Sequence, residues 1–113
     1  MPLLDTEQLD AMSAGMPELL LPIVTDFATS GRESLTALHA ALAGDRFPDA
    51  KDQLHQVKGA AGTIGLIQFR DLCMECEQHV LAQTVPPRLA ELGPLLEESV
   101  QAACAYLNGS ATS

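Results

Sequence analysis

The sequence predicts an all-α protein, an antiparallel up-and-down four-helix bundle with an additional short N-terminal helix. Leu and Ala dominate the 113 residues, aromatic residues make up 4% and Trp is absent, a composition that favours helices over sheets. Apolar residues recur at spacings of three and four in four long segments. The segments are joined by short connections, which place consecutive helices side by side in opposite directions. The length predicts a single domain over residues 1–113.

The first helix is predicted over residues 6–13. Asp5 is a suitable N-cap for it, and Gln8 follows three residues later as a capping partner. Gly15 ends the helix, since glycine readily adopts the left-handed conformation found after helix C-termini. This short helix is expected to form a lid on the bundle.

The second helix is predicted over residues 17–43. Proline at position 17 suits a first helical turn, whereas Pro22 lies beyond that turn and is expected to bend the helix. One stripe of apolar and small residues repeats along it with helical spacing: Leu20, Val24, Phe27, Gly31, Ser34, Leu38 and Leu42.

A break at Gly44-Asp45 precedes a third helix, predicted over residues 47–64. After Gly65 a fourth helix is predicted over 66–82. Its apolar residues lie within an arc of about 120° at 100° per residue. They are Leu66, Phe69, Leu72, Cys73, Cys76 and Val80.

A Pro-rich turn over residues 84–87 separates the fourth helix from the last one, predicted from residue 89 onward. The apolar stripe of the last helix consists of Leu89, Leu92, Leu96, Val100, Ala103 and Leu107. Asn108-Gly109 is expected to end it, and residues 110–113 to form a loose tail.

Charge and hydropathy argue against several classes of protein. The formal charge of −9 and only six Lys and Arg residues argue against binding to nucleic acid. No apolar run approaches the ~18 residues of a membrane span, and the N-terminus lacks a basic region followed by an apolar one. Three cysteines cannot all pair within one chain, and this odd count fits a reducing compartment. We therefore expect a cytoplasmic monomer without membrane contact.

The most informative residue is His55 in the third helix. At 100° per residue, four residues point within about 60° of its direction: Lys51, Lys58, Gly59 and Gly62. The aliphatic residues of this helix lie on the far side, so His55 is predicted to face solvent. Glycine inside a helix costs roughly 1 kcal/mol relative to alanine. Two glycines beside one exposed imidazole indicate that a partner approaches the helix closely there.

The pattern of His55, Lys58, Gly59 and Gly65, with Ala-Gly at 61–62 between them, resembles the signature of the histidine-containing phosphotransfer (HPt) domains. These domains are the shuttles of two-component phosphorelays. The resemblance extends to the length and helix order of the whole chain. It implies a bundle architecture, in agreement with the helical periodicity.

The resemblance implies that His55 accepts a phosphoryl group from the phospho-aspartate of one receiver domain and passes it to an aspartate of another. The expected partners are response-regulator receiver domains and a hybrid sensor histidine kinase. Mg²⁺ is expected on the receiver, with no cofactor or metal on this chain. The chain would carry phosphohistidine without a kinase or nucleotide-binding site of its own, since the sequence lacks a Gly-rich nucleotide loop.

The residues around His55 indicate supporting roles. An exposed Lys58 is expected to neutralise phosphoryl oxygens, with help from Lys51, while the two helix glycines clear space for the receiver. In this family the other ring nitrogen is often held by a Glu or Gln twenty-two residues after the histidine. That position is Glu77 here, with Gln78 as a substitute. Fixing one nitrogen of His55 leaves the other free to react.

Two alternatives of other classes stay open. A helical adaptor would bind a partner protein without phosphotransfer, although pure docking does not need a histidine between glycines. Cys73, Cys76 and His79 spell Cys-x-x-Cys-x-x-His, which suggests zinc or redox chemistry. Zinc normally takes four ligands, and both cysteines continue an apolar stripe, which favours buried packing. We expect His39 and His79 at the surface, and a solvated acidic face formed by Glu91, Glu97 and Glu98.

The sequence leaves open what kind of chain carries this domain. It begins with Met and carries no linker, which fits a free-standing protein. It fits equally the excised end of a hybrid sensor kinase or the phosphotransfer domain of a chemotaxis kinase.

Overall fold

The regular structure consists of helices throughout the part of the chain that the computed structural model describes, the backbone of residues 2–112 and the side chains of residues 2–109. The all-α prediction with a short additional N-terminal helix is confirmed. A single 3-10 turn, Leu89–Glu91, precedes the last helix. The helices are α1 (Thr6–Ser13), α2 (Pro17–Ala43), α3 (Phe47–Thr63), α4 (Ile67–Leu81) and α5 (Leu92–Thr112).

The four long helices close into a bundle. α3 packs between α2 and α4, and α5 packs against α2 and α4, while α1 lies against α2. Each helix contributes a leucine or phenylalanine with no exposed surface: Leu9, Leu38, Leu54, Phe69 and Leu96. Burial of one such side chain contributes roughly 1.5–3 kcal/mol relative to exposure. The aliphatic stripes predicted from the sequence therefore form the common core, and the opposite face of α3 is left at the surface.

The N-terminal helix is tied to the end of α3. The carboxylate of Asp5 accepts a hydrogen bond from the backbone N–H of Gln8 at 3.1 Å, as predicted for an N-cap. The predicted capping role of Gln8 is wrong, because its amide instead donates to the carbonyls of Gly62 and Thr63 at 2.8 and 2.7 Å. The last carbonyls of a helix lack partners within it. Gln8 supplies such partners and anchors α1 across the bundle.

Gly65 makes the turn between α3 and α4 possible. Its φ is +77°, a left-handed conformation that favours glycine. A Cβ at this position would lie 3.1 Å from the backbone oxygen of Asp5, whose own N–H donates to the Gly65 carbonyl at 2.8 Å. The last glycine of the sequence pattern is therefore required by the turn and by the close passage of the N-terminal segment.

The last helix differs from its predicted bounds at both ends. Residues Leu89–Glu91 form a 3-10 turn, and the α-helix begins directly after it. Pro94 explains the delay, because proline lacks an N–H and clashes with the carbonyl four residues earlier unless it lies in the first turn. α5 continues past Gly109 to Thr112. The predicted helix end at Asn108-Gly109 is therefore wrong, while the mobility predicted for residues 110–113 stays a prediction.

The other helix bounds agree with the predicted ones to within one residue. α2 runs through Pro22 without interruption, and the bend expected there stays a prediction. None of the helices in the described residues combines the length and apolarity needed to cross a bilayer.

Candidate functional site

Three side chains from two helices meet on one surface of the bundle. His55 and Lys58 come from α3, and Glu77 comes from the neighbouring α4. The Lys58 ammonium donates a hydrogen bond to Oε1 of Glu77 at 2.7 Å. Nδ1 of His55 lies 3.5 Å from the other carboxylate oxygen, Oε2. The carboxylate thus bridges the histidine and the lysine.

The three groups differ strongly in their access to solvent. The His55 side chain is 71% exposed, whereas those of Glu77 and Lys58 are 11% and 23% exposed. A carboxylate that is removed from water needs a compensating charge or hydrogen bonds. Lys58 provides both, so the expectation of a freely exposed lysine is wrong. Its ammonium is held in a partly buried ion pair.

The orientation of the imidazole follows from the position of the carboxylate. Nδ1 of His55 faces Glu77, so Nε2 is the nitrogen left for an external reactant. The distance of 3.5 Å exceeds the usual range of N–H···O hydrogen bonds, and the contact is therefore a long electrostatic one. Glu77 lies where an orienting group was expected. Gln78 is exposed on the same helix, and the carboxylate next to the ring belongs to Glu77.

The two glycines beside His55 have different surroundings. A Cβ at Gly59 would meet nothing within 4 Å, whereas a Cβ at Gly62 would lie 3.2 Å from Cδ of Arg70. The aliphatic part of Arg70 therefore crosses α3 at position 62. Of the two positions expected to give space to a partner, only Gly59 is open, and the space beside Gly62 is filled from α4. This use of Gly62 depends on the helix packing and could not be read from the sequence.

Lys51 lies one turn before His55. The ion pair that the structure gives it is with the neighbouring Asp52, at 3.7 Å. Its side chain is 45% exposed, so it stands at the edge of the site. A direct role of Lys51 toward His55 stays a prediction.

The cysteines of α4 are packed in the core, as expected. Cys73 and Cys76 have no exposed surface, and burial raises their pKa values to about 12 and about 11. Both thiols are thereby disfavoured as thiolates, the form that binds metals and reacts. Between residues 2 and 109, no group of three or more His, Cys, Asp and Glu side chains is arranged to hold a metal ion. His39 is exposed and His79 is partly buried.

Two glutamates of the predicted solvated face are engaged in ion pairs. Glu97 accepts hydrogen bonds from Arg32 at 2.8 and 2.7 Å, which joins α2 to α5. Glu91 accepts two from Arg88 at 3.0 Å. All four side chains remain about half exposed, so each pair contributes little to stability.

Comparison with known proteins agrees with this architecture. The Hpt domain family model matches residues 22–106, a range that contains all three residues of the site. The crystal structure of histidine-containing phosphotransfer protein B (HptB) from Pseudomonas aeruginosa PAO1 is similar, with a TM-score of 0.76 and 21% sequence identity. The alignment covers 98% of this chain and 96% of that chain. At this identity the likeness supports the fold. No curated protein matches the sequence.

Proposed function

Because the chain belongs to the Hpt domain family, whose members are histidine phosphotransfer carriers in phosphorelays, we propose that His55 is its phosphoacceptor. His55 takes a phosphoryl group from the phospho-aspartate of one receiver domain and passes it to an aspartate of another. The observation that carries this proposal is the exposed imidazole whose Nδ1 faces the buried carboxylate of Glu77, 3.5 Å away.

The carboxylate favours the imidazole tautomer with its proton on Nδ1. The lone pair of Nε2 then attacks the phosphorus of the phospho-aspartate, and an N–P bond forms as the P–O bond to the aspartate breaks. The bonding electrons leave with the aspartate carboxylate. The resulting phosphoimidazolium keeps its Nδ1 proton beside Glu77, which offsets the positive charge. A second receiver aspartate reverses these steps and returns the electron pair to Nε2.

Lys58 is proposed to stabilise the phosphoryl oxygens. It lies one turn after His55 on the same side of α3, and its ammonium is bound to Glu77 at 2.7 Å. Contact with a phosphoryl group therefore requires the ammonium to share or leave this carboxylate. Because Glu77 touches both residues, phosphorylation of His55 and the position of Lys58 are coupled.

The protein supplies a nucleophile and a docking surface. Phosphoryl transfer depends mainly on in-line positioning and on stabilisation of charge, and the receiver is expected to provide the Mg²⁺ and the reacting aspartate. Hpt domains are carriers rather than kinases. Receiver domains and a hybrid sensor histidine kinase are the proposed partners of this chain.

A two-step transfer experiment tests this proposal. The chain is incubated with a panel of receivers carrying radiolabelled phosphate, and an unlabelled second receiver is then added. We expect label to appear on the chain and then to leave for the second receiver. A chain that binds receivers but never takes up label would instead be the non-catalytic adaptor.

A further inference from the structure

A depression in the surface runs between α4 and the beginning of α5. It consists of two cavities of about 270 and 370 Å³. Gln68, Arg88 and Leu95 line both cavities, so the two are halves of one depression. We call it the α4–α5 trough.

The lining of the α4–α5 trough is apolar and acidic. Leu72 and Leu95 supply its apolar part. Carboxylates from three consecutive elements line it as well: Asp71 and Glu75 of α4, Glu91 of the 3-10 turn and Glu98 of α5. Lysine and arginine combine an apolar stem with a cationic head, and the lining is complementary to both parts.

Arg88 shows which group these carboxylates bind. Its guanidinium donates to both carboxylate oxygens of Glu91 at 3.0 Å and to Oε1 of Glu75 at 3.2 Å. Guanidinium groups pair with carboxylates in this two-pronged way because the donor and acceptor geometries match. One cation of the chain itself is therefore already bound where the two halves of the trough meet.

The cations at the trough do not balance its carboxylates. Arg88 is shared by Glu75 and Glu91, and Asp71 pairs with the neighbouring Arg70 at 2.9 Å. Glu98 is exposed and has no ion pair among the residues that the structure describes. The trough thus keeps an excess of negative charge. A second copy of this chain, with its formal charge of −9, would be repelled, whereas a basic partner is complementary.

The trough and the histidine lie on opposite sides of α4. At 100° per residue, Glu75 and Gln68 point about 160° and 180° away from Glu77, the residue beside the imidazole. A ligand in the trough therefore leaves His55 uncovered.

We propose that the α4–α5 trough binds a basic segment of a partner protein, in which Lys or Arg side chains flank an apolar one. The apolar side chain packs on Leu95. One cation pairs with Glu98, and another pairs with Oε2 of Glu75, the oxygen that Arg88 leaves free. A single exposed ion pair contributes little, so binding requires a segment that makes several of these contacts together.

The trough gives the chain a second binding surface, which does not depend on His55 being a phosphoacceptor. Because the two surfaces are separate, a partner bound at the trough can stay attached while a receiver reaches the histidine. Such attachment would raise the effective concentration of any receiver that the same partner carries.

Titration of isotope-labelled protein with a synthetic peptide, followed by NMR, tests the location. The probe is the amidated peptide Arg-Leu-Lys-Lys-Leu-Lys. Amide resonances of residues 68–75 and 88–98 should shift, and those of residues 51–58 should not. Binding should weaken as salt rises, and a peptide with serine in place of both leucines should bind several-fold more weakly. Absence of binding, or shifts centred on α2 or on residues 51–58, would overturn the proposal.

Two double variants with the same change in charge test the contacts. Glu75→Gln/Glu98→Gln removes two carboxylates of the trough, and Glu18→Gln/Glu33→Gln removes two exposed carboxylates of α2. The first variant should raise the Kd of the peptide about fivefold, the size expected for two exposed ion pairs, and the second should leave it unchanged. All four side chains are exposed, so both variants should keep the wild-type circular dichroism spectrum. Equal weakening in both would show attraction to the overall charge and would overturn the proposal.

Labelling by phosphoramidate, a small donor without a docking face, tests whether the two surfaces are separate. Protein saturated with the peptide should be labelled as fast as free protein. Slower labelling would place the peptide over His55 and would overturn the proposed location. A chain that binds the peptide at the trough and takes up no label from any donor would refute the proposed function and still support the trough as a binding surface.

Discussion

Replacing Gly59 by alanine is expected to stabilise the protein. The residue lies inside α3, where glycine is less favourable than alanine by roughly 0.8–1.0 kcal/mol. The new methyl group would meet nothing within 4 Å, so no steric term offsets this gain. In a domain of about 100 residues, 1 kcal/mol corresponds to a rise in Tm of roughly 4–8 °C. Thermal and urea unfolding followed by far-UV circular dichroism measure both quantities.

Gly62→Ala is the matched control in the same helix. Its Cβ would lie 3.2 Å from Cδ of Arg70, so the arginine must shift and the gain should be smaller. A Gly59→Ala protein that is less stable than the wild type, or no more stable than Gly62→Ala, would refute the argument that position 59 is open.

The functional counterpart of this prediction uses a larger side chain at the same place. Gly59→Leu should melt close to the wild type, because position 59 points away from the core. It should strongly reduce transfer from a receiver, since the leucine stands beside His55, and affect labelling by phosphoramidate much less. If Gly59→Leu unfolds, the glycine packs against a neighbour and the docking argument fails.

Three further predictions follow from individual contacts. Lys58→Ala should slow phosphoryl transfer, and an unchanged transfer rate would contradict the charge role of this lysine. In urea titrations the variant should also lose roughly 1–3 kcal/mol of unfolding free energy, because the carboxylate of Glu77 stays buried without its cation. Gly65→Ala should destabilise by about 1–2 kcal/mol in the same assay, since φ is +77°. Burial raises the pKa of the Cys73 thiol to about 12. In the folded protein at pH 8, mass spectrometry should therefore find Cys104, which is partly exposed, alkylated by iodoacetamide before Cys73 is.

The helices were predictable because their signals are local. Apolar spacing, the Asp5 cap and the glycine turns act within a few residues, and the predicted bounds of the first four helices agree with the structure to within one residue. The start of α5 is not predictable from the apolar stripe, because Leu89 continues that stripe although it lies in the 3-10 turn before the helix. Pro94 restricts the residues before it and is the signal that places the helix start later. The partners of the Gln8 amide, the carbonyls of Gly62 and Thr63, are distant in sequence, so a local capping pattern does not predict them.

The candidate site likewise has features that the sequence of one helix predicts and features that depend on packing between helices. The exposure of His55 follows from the period of one helix and was predicted from the sequence. The partly buried pair of Lys58 with Glu77 depends on how α4 packs against α3, and periodicity within one helix does not contain that information. Whether a glycine of α3 is open, like Gly59, or covered, like Gly62, likewise depends on where the Arg70 side chain lies. The sequence of α3 alone does not contain that information.

The central claim, that His55 carries the phosphoryl group, is tested most directly by transfer from a labelled phospho-receiver to wild type and His55→Gln. The wild type should take up label that is lost in acid and kept in base, as expected for a nitrogen-linked phosphate. His55→Gln should take up none, with an unchanged circular dichroism spectrum, because the side chain is 71% exposed. Label that persists on His55→Gln, or that maps to His39 or His79, would contradict the assignment.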